Sequence, residues 1–188
     1  MLKFFKEFGV HAEISGFKTV KIDDPQVFLQ RIGELKPADV DVQFFDADRI
    51  ATWEHLYFAT LNALTVFANH ENTAKSLAME TLLFAAAEKQ IVRATALLGV
   101  KSDSSRIAVL VISKRSRTAR ATLSTISKIL EREPDETVLG LSDNKVALVE
   151  RTFGIKRIEL ETVMKDGDVK KALVGLIIER IALSTTKR

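Results

Sequence analysis

Several segments of the chain have the distribution of apolar and polar positions that is typical of β-strands. Residues 10–20 mix β-branched and polar side chains around Ser15-Gly16, which predicts one strand or a hairpin. Residues 40–44 alternate between apolar and polar side chains. Residues 107–112 form a continuous apolar run, which is typical of a strand covered on both faces. Two shorter strands are predicted at residues 138–141 and, at an edge, at residues 157–163.

Other segments repeat their apolar residues with the period of an α-helix. An Asp-Pro start at Asp24-Pro25 and a stop at Pro37 delimit the first helix. The next helix follows a predicted cap at Thr52, and because it is apolar on nearly all sides we expect it to be central. Further helices are predicted at residues 76–88, 90–98, 116–131, 144–153 and 169–184.

The order of these elements predicts the fold class. Strands and helices are interspersed, but three helical segments follow one another between residues 52 and 98, which argues against a regular doubly wound sheet. We therefore expect an α/β protein of the α+β type, with a small, mixed, partly antiparallel sheet flanked by several helices. With 188 residues and no linker or low-complexity segment, residues 1–188 are expected to form a single domain.

Composition narrows the class of protein. The chain has no cysteine, which excludes disulfides and thiolate metal sites, and no apolar run long enough to span a membrane. The first eight residues lack the features of a signal peptide, so a cytoplasmic location is expected. The net charge of +3 permits contact with nucleic acid without requiring it.

The usual catalytic patterns are absent from the sequence. His11, His55 and His70 are far apart, and none lies at metal-ligand spacing. His55, near a predicted helix start, is expected to face solvent or a polar neighbour. Asp46-x-Asp48 is interpreted as a turn rather than a cation site. The sequence therefore predicts no catalytic residue, no metal and no cofactor, although a carboxylate pair cannot be recognised without a pocket.

Four cations lie around the start of the helix predicted at residues 116–131. Lys114, Arg115, Arg117 and Arg120 occupy a region where cations are unfavourable by about 0.3–1 kcal/mol each. A bound anion such as a phosphate would offset this repulsion. A solvated face screened by water and salt is the other interpretation, and both remain open.

A second basic set lies where two helical segments meet. Lys89 and Arg93 are four residues apart and share a helix face, and Lys101 follows the second helix. Gln90 between them is suited to hydrogen bonds with a base edge or a phosphate. The alternative is an ordinary polar helix surface.

The last predicted helix carries more apolar surface than one core contact requires. One face combines Val169, Leu173, Leu176, Ile177 and Arg180, and a neighbouring stripe holds Val174, Ile178 and Ile181. Residues 172–178 contain no charge. Such a helix either binds a partner protein or is inserted between two layers of its own domain.

Several motifs together resemble a known family. They are the segment Asp-Ala-Asp-Arg-Ile-Ala-Thr-Trp-Glu-His-Leu at residues 46–56, Ala63, the segment Ala-Lys-Ser-Leu-Ala-Met-Glu-Thr-Leu-Leu at residues 74–83, Lys89-Gln90-Ile91, Ala94, and Leu-Gly-Val-Lys at residues 98–101. This pattern is similar to the kinase-binding subunit of the KEOPS complex, which in eukaryotes is the PRPK-binding protein, and the chain looks like its archaeal type. The resemblance covers mainly residues 46–101. Where the family often has glycine close before the basic-Gln-Ile triplet, this chain has Ala87, so a less sharply bent junction is expected. Lys89 stands where arginine is common, which keeps the charge but loses the bidentate fork.

The resemblance implies a function that composition does not. KEOPS places a threonylcarbamoyl group on the adenosine beside the anticodon of tRNAs that read codons beginning with A. Its transferase subunit performs the chemistry, helped by a kinase-like ATPase. The family resembled here binds the small lobe of that ATPase and, in archaeal members, helps to hold the 3′ CCA tail of tRNA, without catalysis.

These inferences define the expected sites and their alternatives. For contact with the ATPase subunit the candidates are Val174, Ile177, Ile178 and Ile181. For RNA they are Lys75, Lys89, Gln90, Arg93 and Lys101. The isolated chain is expected to be a monomer or a weak dimer. Two other functions remain open: a small enzyme that binds a phosphorylated metabolite at the basic cluster of residues 114–120, and a homodimeric scaffold.

Overall fold

Four strands form one antiparallel sheet. The structure, a computed structural model, describes the backbone of residues 1–186 and the side chains up to residue 184. The strands are β1 (Leu2–Phe5), β2 (Val10–Lys18), β3 (Val40–Asp46) and β4 (Arg106–Ser113), in the spatial order β1-β2-β4-β3. Each neighbouring pair is antiparallel. The predicted α+β class with a small sheet and several helices is therefore confirmed.

Eight α-helices lie within the described residues and cover this sheet. They are α1 (Pro25–Leu35), α2 (Trp53–Ala68), α3 (Leu77–Ala85), α4 (Ile91–Leu98), α5 (Ser116–Leu130), α6 (Asp143–Phe153), α7 (Arg157–Val163) and α8 (Val169–Thr186). Short 3₁₀ helices occur at Lys6–Phe8, Ala47–Arg49 and Glu136–Leu139. Asp24 caps α1 as predicted, since its carboxylate accepts hydrogen bonds from the N–H groups of Gln26 and Val27. Thr52 occupies the N-cap of α2, but its hydroxyl makes no capping hydrogen bond.

Strand β4 separates two hydrophobic cores. Its odd-numbered residues from 107 to 111 pack with α1 and α5, and its even-numbered residues from 108 to 112 pack with the layer that contains α2, α3, α4, α6, α7 and α8. Because side chains alternate across a strand, these cores lie on opposite faces of the sheet. All six side chains are at most 3% exposed, so the prediction of a strand covered on both faces is confirmed.

Two predicted strands are wrong and one strand was not predicted. The segment expected as a strand at residues 138–141 enters the 3₁₀ helix Glu136–Leu139, which Asp135 caps by accepting a hydrogen bond from the N–H of Thr137. Residues 157–163 form α7, whose first turn is closed by a hydrogen bond from the N–H of Lys156 to the Glu159 carboxylate. Strand β1 pairs with β2 over residues 2–5 and 10–13.

The 3₁₀ segment lies directly on β2 at a glycine. The N–H of Asp135 donates a hydrogen bond of 2.7 Å to the carbonyl of Gly16. A Cβ atom added to Gly16 would lie 2.6 Å from the Cβ of Val138 and 2.7 Å from the carbonyl oxygen of Asp135. The sequence therefore needs glycine here because backbone and side chain of another segment occupy the space of a side chain.

Candidate interaction surfaces

Helix α8 uses much of its apolar surface inside the protein. It packs on α2, α3, α6 and α7. Among its described side chains, Ala172, Leu173, Leu176, Ile177 and Ile181 are buried. Ile177 and Ile181, which the sequence proposed as partner contacts, are 0% exposed and therefore cannot reach a partner while the helix is packed. The cause is that four helices, rather than one, surround α8, so two of its stripes face inward.

The outward side of α8 nevertheless keeps an apolar strip. Val174 and Ile178, the other two proposed contacts, are half-buried, and Gly175 and Ala182 beside them are exposed. We call these four residues the α8 strip. A Cβ atom at Gly175 would meet nothing within 4 Å, so a partner can approach the helix backbone closely there. Gly175 also lines a cavity of about 410 Å³ that reaches the end of α7.

An arginine fixes α8 against the neighbouring elements. Nη1 of Arg180 donates a hydrogen bond to the carbonyl of Phe153 at the end of α6, and Nη2 donates to the Glu159 carboxylate of α7 at 2.7 Å. The Lys156 N–H and then the Arg180 guanidinium hold the pKa of Glu159 below its usual range. The α8 strip is thus presented on a helix whose orientation is held by both α6 and α7.

The connection between α3 and α4 bends sharply at Ala87. Its φ of 49° lies in the left-handed region that favours glycine. The N–H groups of Ala87 and Glu88 return to the carbonyls of Phe84 and Leu83, which closes the end of α3. The expectation of a less bent junction is wrong. Ala87 adopts the conformation that glycine would adopt, and this conformation costs alanine about 1 kcal/mol because of its Cβ atom.

A buried histidine supports this junction from inside. His55 is fully buried, where its Nδ1 accepts a hydrogen bond from the N–H of Ala51 (3.2 Å) and its Nε2–H donates to the carbonyl of Ala85 (2.8 Å). Its polar neighbours are therefore backbone groups, and it does not face solvent. Burial lowers the pKa of His55 to about 4, so the ring is neutral at physiological pH. The ring joins the start of α2 to the end of α3.

Three of the predicted RNA-binding residues come together at the start of α4. Lys89 and Gln90 immediately precede the helix and Arg93 lies in its first turn, all of them exposed. Gln90 is the N-cap residue, but its side chain makes no capping hydrogen bond. Val92, 80% exposed, lies beside them. The result is an outward-facing surface of two cations, one amide and one apolar side chain, which we call the α4 start.

Lys75 and Lys101 lie at the other end of α3. Their chain neighbours Ser76 and Val100 line the same cavity of about 250 Å³, which also includes residues of α1 and β3. Lys75 is exposed and Lys101 is half-buried. Since Lys75 precedes α3 and Lys89 follows it, the two groups are separated by roughly the length of α3, ~13 Å at 1.5 Å per residue. The five residues therefore form two groups rather than one cluster.

The basic cluster at the start of α5 lies on the other face of the sheet. Lys114, Arg115, Arg117 and Arg120 are all exposed. The N-cap residue Arg115 makes no side-chain capping hydrogen bond. Nε of Arg120 lies 3.7 Å from Oε2 of Glu13, a buried carboxylate on β2. Arg120, one of the four cations, is therefore paired with an acid of the protein itself.

Sequence reasoning missed a buried lysine. Lys145 on α6 is 3% exposed, and its ammonium donates hydrogen bonds to the carbonyls of Val138 (3.0 Å) and Gly140 (3.2 Å). Burial lowers the pKa of Lys145 to about 8, partly offset by attraction to Asp48 and Asp46. The side chain joins α6 to the 3₁₀ segment over β2. No periodicity predicts it, because a lysine in the middle of a helix normally indicates a solvated face.

Two kinds of feature are absent from the described residues. No group of three or more His, Asp or Glu side chains in this part of the chain is arranged to hold a metal ion. Across the same residues, none of the helices combines the length and the apolar character that crossing a membrane requires.

Comparison with known proteins extends the resemblance well beyond residues 46–101. Residues 17–185 match the model of the family described as kinase binding protein CGI-121. The chain is also similar to the regulatory protein Cgi121 of Methanocaldococcus jannaschii, with 28% identity over 146 residues. That alignment covers 78% of this chain and 84% of the archaeal protein. Residues 17–185, which the family model matches, include α2, α3, α4 and nearly all of α8.

Proposed function

The chain belongs to the kinase-binding CGI-121 family, as the motifs in residues 46–101 predict, and from this premise we propose that it is a non-catalytic subunit of a KEOPS complex. In this role it binds the kinase-like ATPase subunit and helps to recruit tRNA through the 3′ CCA tail. The complex then forms threonylcarbamoyl adenosine beside the anticodon, in the cytoplasm of an archaeal cell. The observation that carries the proposal is the family match across residues 17–185.

We assign the docking of the ATPase to the α8 strip. The strip is apolar and lies on a helix held in place by Arg180. Protein interfaces commonly centre on a few well-packed apolar contacts surrounded by polar residues, and Glu179 and Lys171 lie on the same side of α8. Gly175 removes the side chain that would keep a partner away. The assignment therefore rests on Val174 and Ile178, with Ile177 and Ile181 supporting them from the core.

Replacing Ile178 by glutamate is expected to weaken binding of the kinase-like ATPase at least tenfold. A charge in the centre of an apolar contact would lose its hydration without gaining a partner. A pull-down or titration with the purified ATPase measures the effect. Val27→Glu, which places the same charge at an exposed apolar position of α1, is the matched control and should bind normally.

A second variant separates docking from folding. Because the space outside Gly175 is open, Gly175→Trp should leave the fold intact while it blocks close approach of a partner. Normal ATPase binding by both the Ile178 and the Gly175 variants, each with a wild-type unfolding midpoint, would remove the α8 strip from the docking assignment.

We assign tRNA contact to the α4 start, extended by Lys75 and Lys101. Two cations and an amide suit phosphates and base edges of a single strand. None of the five residues is aromatic, so charge and hydrogen bonding, rather than stacking, would supply most of the affinity. The separation of the two groups along α3 suits an extended tail that spans several nucleotides.

Reversing both Lys89 and Arg93 to glutamate is expected to weaken tRNA binding roughly tenfold at about 0.1 M salt and to flatten its salt dependence, because fewer counterions are released. Filter binding or fluorescence titration at several salt concentrations measures both quantities. Arg151→Glu with Lys165→Glu makes the same change in net charge at exposed positions elsewhere and should have a smaller effect.

The same titration with tRNA that lacks its CCA end tests the recognised element. The wild-type chain should bind the truncated tRNA more weakly, and the double Lys89 and Arg93 variant should hardly distinguish the two. If wild-type affinity is the same for both tRNAs, or if the double variant binds as well as wild type, the RNA assignment is wrong.

A further inference from the structure

The face of the sheet that carries α1 and α5 has an apolar surface that the proposed function does not use. Helix α1 buries only Ile32 completely, and Phe28 meets Phe44 of β3 edge to face with ring centroids 5.0 Å apart. Three large apolar side chains of the helix remain in solvent: Leu35 (54% exposed) faces α5, Leu29 (42%) lines a separate cavity toward β3 and α3, and Val27 (62%) lines neither cavity. A helix of eleven residues that leaves so much apolar surface uncovered is typical of an interaction surface.

A groove runs between α1 and α5. Ile32, Leu35 and Pro37 line one wall, and Thr118, Thr125 and Ile129 line the other. Its cavity has a volume of about 160 Å³. A dry apolar cavity of roughly 150 Å³ accommodates a benzene molecule. The groove therefore has room for one large apolar side chain, which is the size of a single anchor residue of a bound peptide.

The rim of the groove is positively charged. Helix α5 contains no acidic residue, and its exposed Arg117 and Lys128 lie near the two ends of the wall that Ala121 and Thr125 form. Lys36 lines the opposite wall. The single acid of α1, Glu34, accepts a hydrogen bond of 3.0 Å from Gln30 on the same helix. An occupant of this groove thus meets an apolar floor with cations on both walls and one carboxylate, Glu34, on α1.

We propose that the α1–α5 groove binds an acidic amphipathic helix of a partner protein. The helix seats one large apolar side chain between Leu35 and Ile129 and places carboxylates near Arg117 and Lys128. An apolar anchor supplies most of the affinity, and the charge pairs at the rim set its orientation and the rate of encounter.

Charge and chemistry select this occupant over two others. A nucleic acid strand would find cations but no aromatic side chain among the groove residues, and it would leave the apolar side chain of Leu35 uncovered. A second copy of the chain that docked through the same groove would bring two cationic rims together. A carboxylate-rich helix with an apolar stripe satisfies both the floor and the rim. The groove lies on the opposite side of the sheet from the α8 strip, so the proposal does not depend on the assignment of the ATPase.

Selection of displayed random peptides on the immobilised full-length chain tests the proposal. The selected peptides should be enriched in Asp and Glu around one large apolar residue. Thr125→Trp, which fills the groove, should weaken their binding at least tenfold, and so should Arg117→Glu with Lys128→Glu. Ser124→Trp introduces the same side chain at an exposed neighbouring position that does not line the groove, and it should bind like wild type.

Three results would overturn the proposal. One is selection of peptides without acidic enrichment. Another is binding that is unchanged in the Thr125→Trp protein while circular dichroism and the unfolding midpoint show that this variant is folded. The third is that the wild-type chain binds an RNA strand or a second copy of itself, and that the Thr125 and Arg117/Lys128 variants weaken this binding but do not weaken binding of the acidic peptides.

Discussion

Replacing Gly16 by alanine is expected to destabilise the fold by roughly 3 kcal/mol. The new methyl group would lie 2.6 Å from the Cβ of Val138 and 2.7 Å from the carbonyl oxygen of Asp135, closer than atoms can approach. The clash cannot be relieved easily. Strand β2, which carries residue 16, is held by its pairing with β4, and Asp135 is hydrogen-bonded to Gly16 itself. Overpacking of this kind costs about 1–3 kcal/mol, and displacement of the hydrogen bond adds about 1 kcal/mol.

Equilibrium unfolding in urea measures this loss as a lower midpoint. The matched control is Gly33→Ala, the same chemical change at a glycine of α1 whose added Cβ would meet nothing within 4 Å. In the middle of a helix that change should stabilise by about 0.5–1 kcal/mol. A Gly16 variant as stable as wild type would show that the 3₁₀ segment does not lie on β2 as described.

Replacing His55 by leucine is expected to cost about 3 kcal/mol at pH 7. The ring joins the N–H of Ala51 to the carbonyl of Ala85, and leucine would leave both backbone groups buried without a partner. Each unsatisfied group costs about 1–3 kcal/mol. Since Ala85 ends α3, the variant should also loosen the connection to the α4 start and weaken the tRNA binding proposed for it, which unfolding and binding titrations measure separately.

The same residue should make stability depend on pH. The pKa of His55 is about 4 in the folded protein and 6.5 in the unfolded chain, so the unfolded state takes up the proton first. Stability therefore falls as the pH drops below 6.5, and about 2 kcal/mol should be lost between pH 7 and pH 5. Carboxylates whose pKa is lowered, such as Asp135, lose their contribution at lower pH, below the unfolded value of 3.8.

The His55→Leu protein should lack the change in stability between pH 6.5 and pH 5. His70→Asn is the control, because His70 is exposed and its φ of 59° suits asparagine. This variant should keep the wild-type pH dependence. A wild-type free energy of unfolding that stays constant over that interval would contradict the neutral, buried state of His55.

The sequence predicts elements well where a long pattern is unambiguous. The apolar run of β4 and the seven long helical patterns correspond to elements of the structure, because burial on both faces or on one helix face dictates those residues. The segment of α7 is only seven residues long, and its alternation fits a strand as well as a helix. Its cap, in which the Glu159 carboxylate accepts a hydrogen bond from the N–H of Lys156, stabilises the helix. Strand β1 depends on pairing with β2, which no local pattern reveals.

The candidate sites also divide into those that local sequence determines and those that depend on packing between distant elements. Lys89, Gln90 and Arg93 are neighbours in the chain, so they lie at one end of α4 even though Lys89 precedes the helix rather than sharing its face. The apolar stripes of α8 were recognised, but periodicity does not indicate how many helices surround a stripe. Ile177 and Ile178 differ by one position, and only packing against α2 and its neighbours shows that the first is enclosed. The groove between α1 and α5 was not found because it depends on the spacing of two distant helices.

The sheet that divides the two cores also keeps the α8 strip and the α1–α5 groove on opposite sides of the molecule. A substitution at an odd-numbered residue of β4 acts first on the layer with α1 and α5, and one at an even-numbered residue acts first on the layer with α8. Ligands on opposite sides neither collide nor share side chains, so their binding free energies should add. The two proposed sites would therefore let the chain hold an ATPase and an acidic helix at the same time, as a connector between two bodies rather than a site for which they compete.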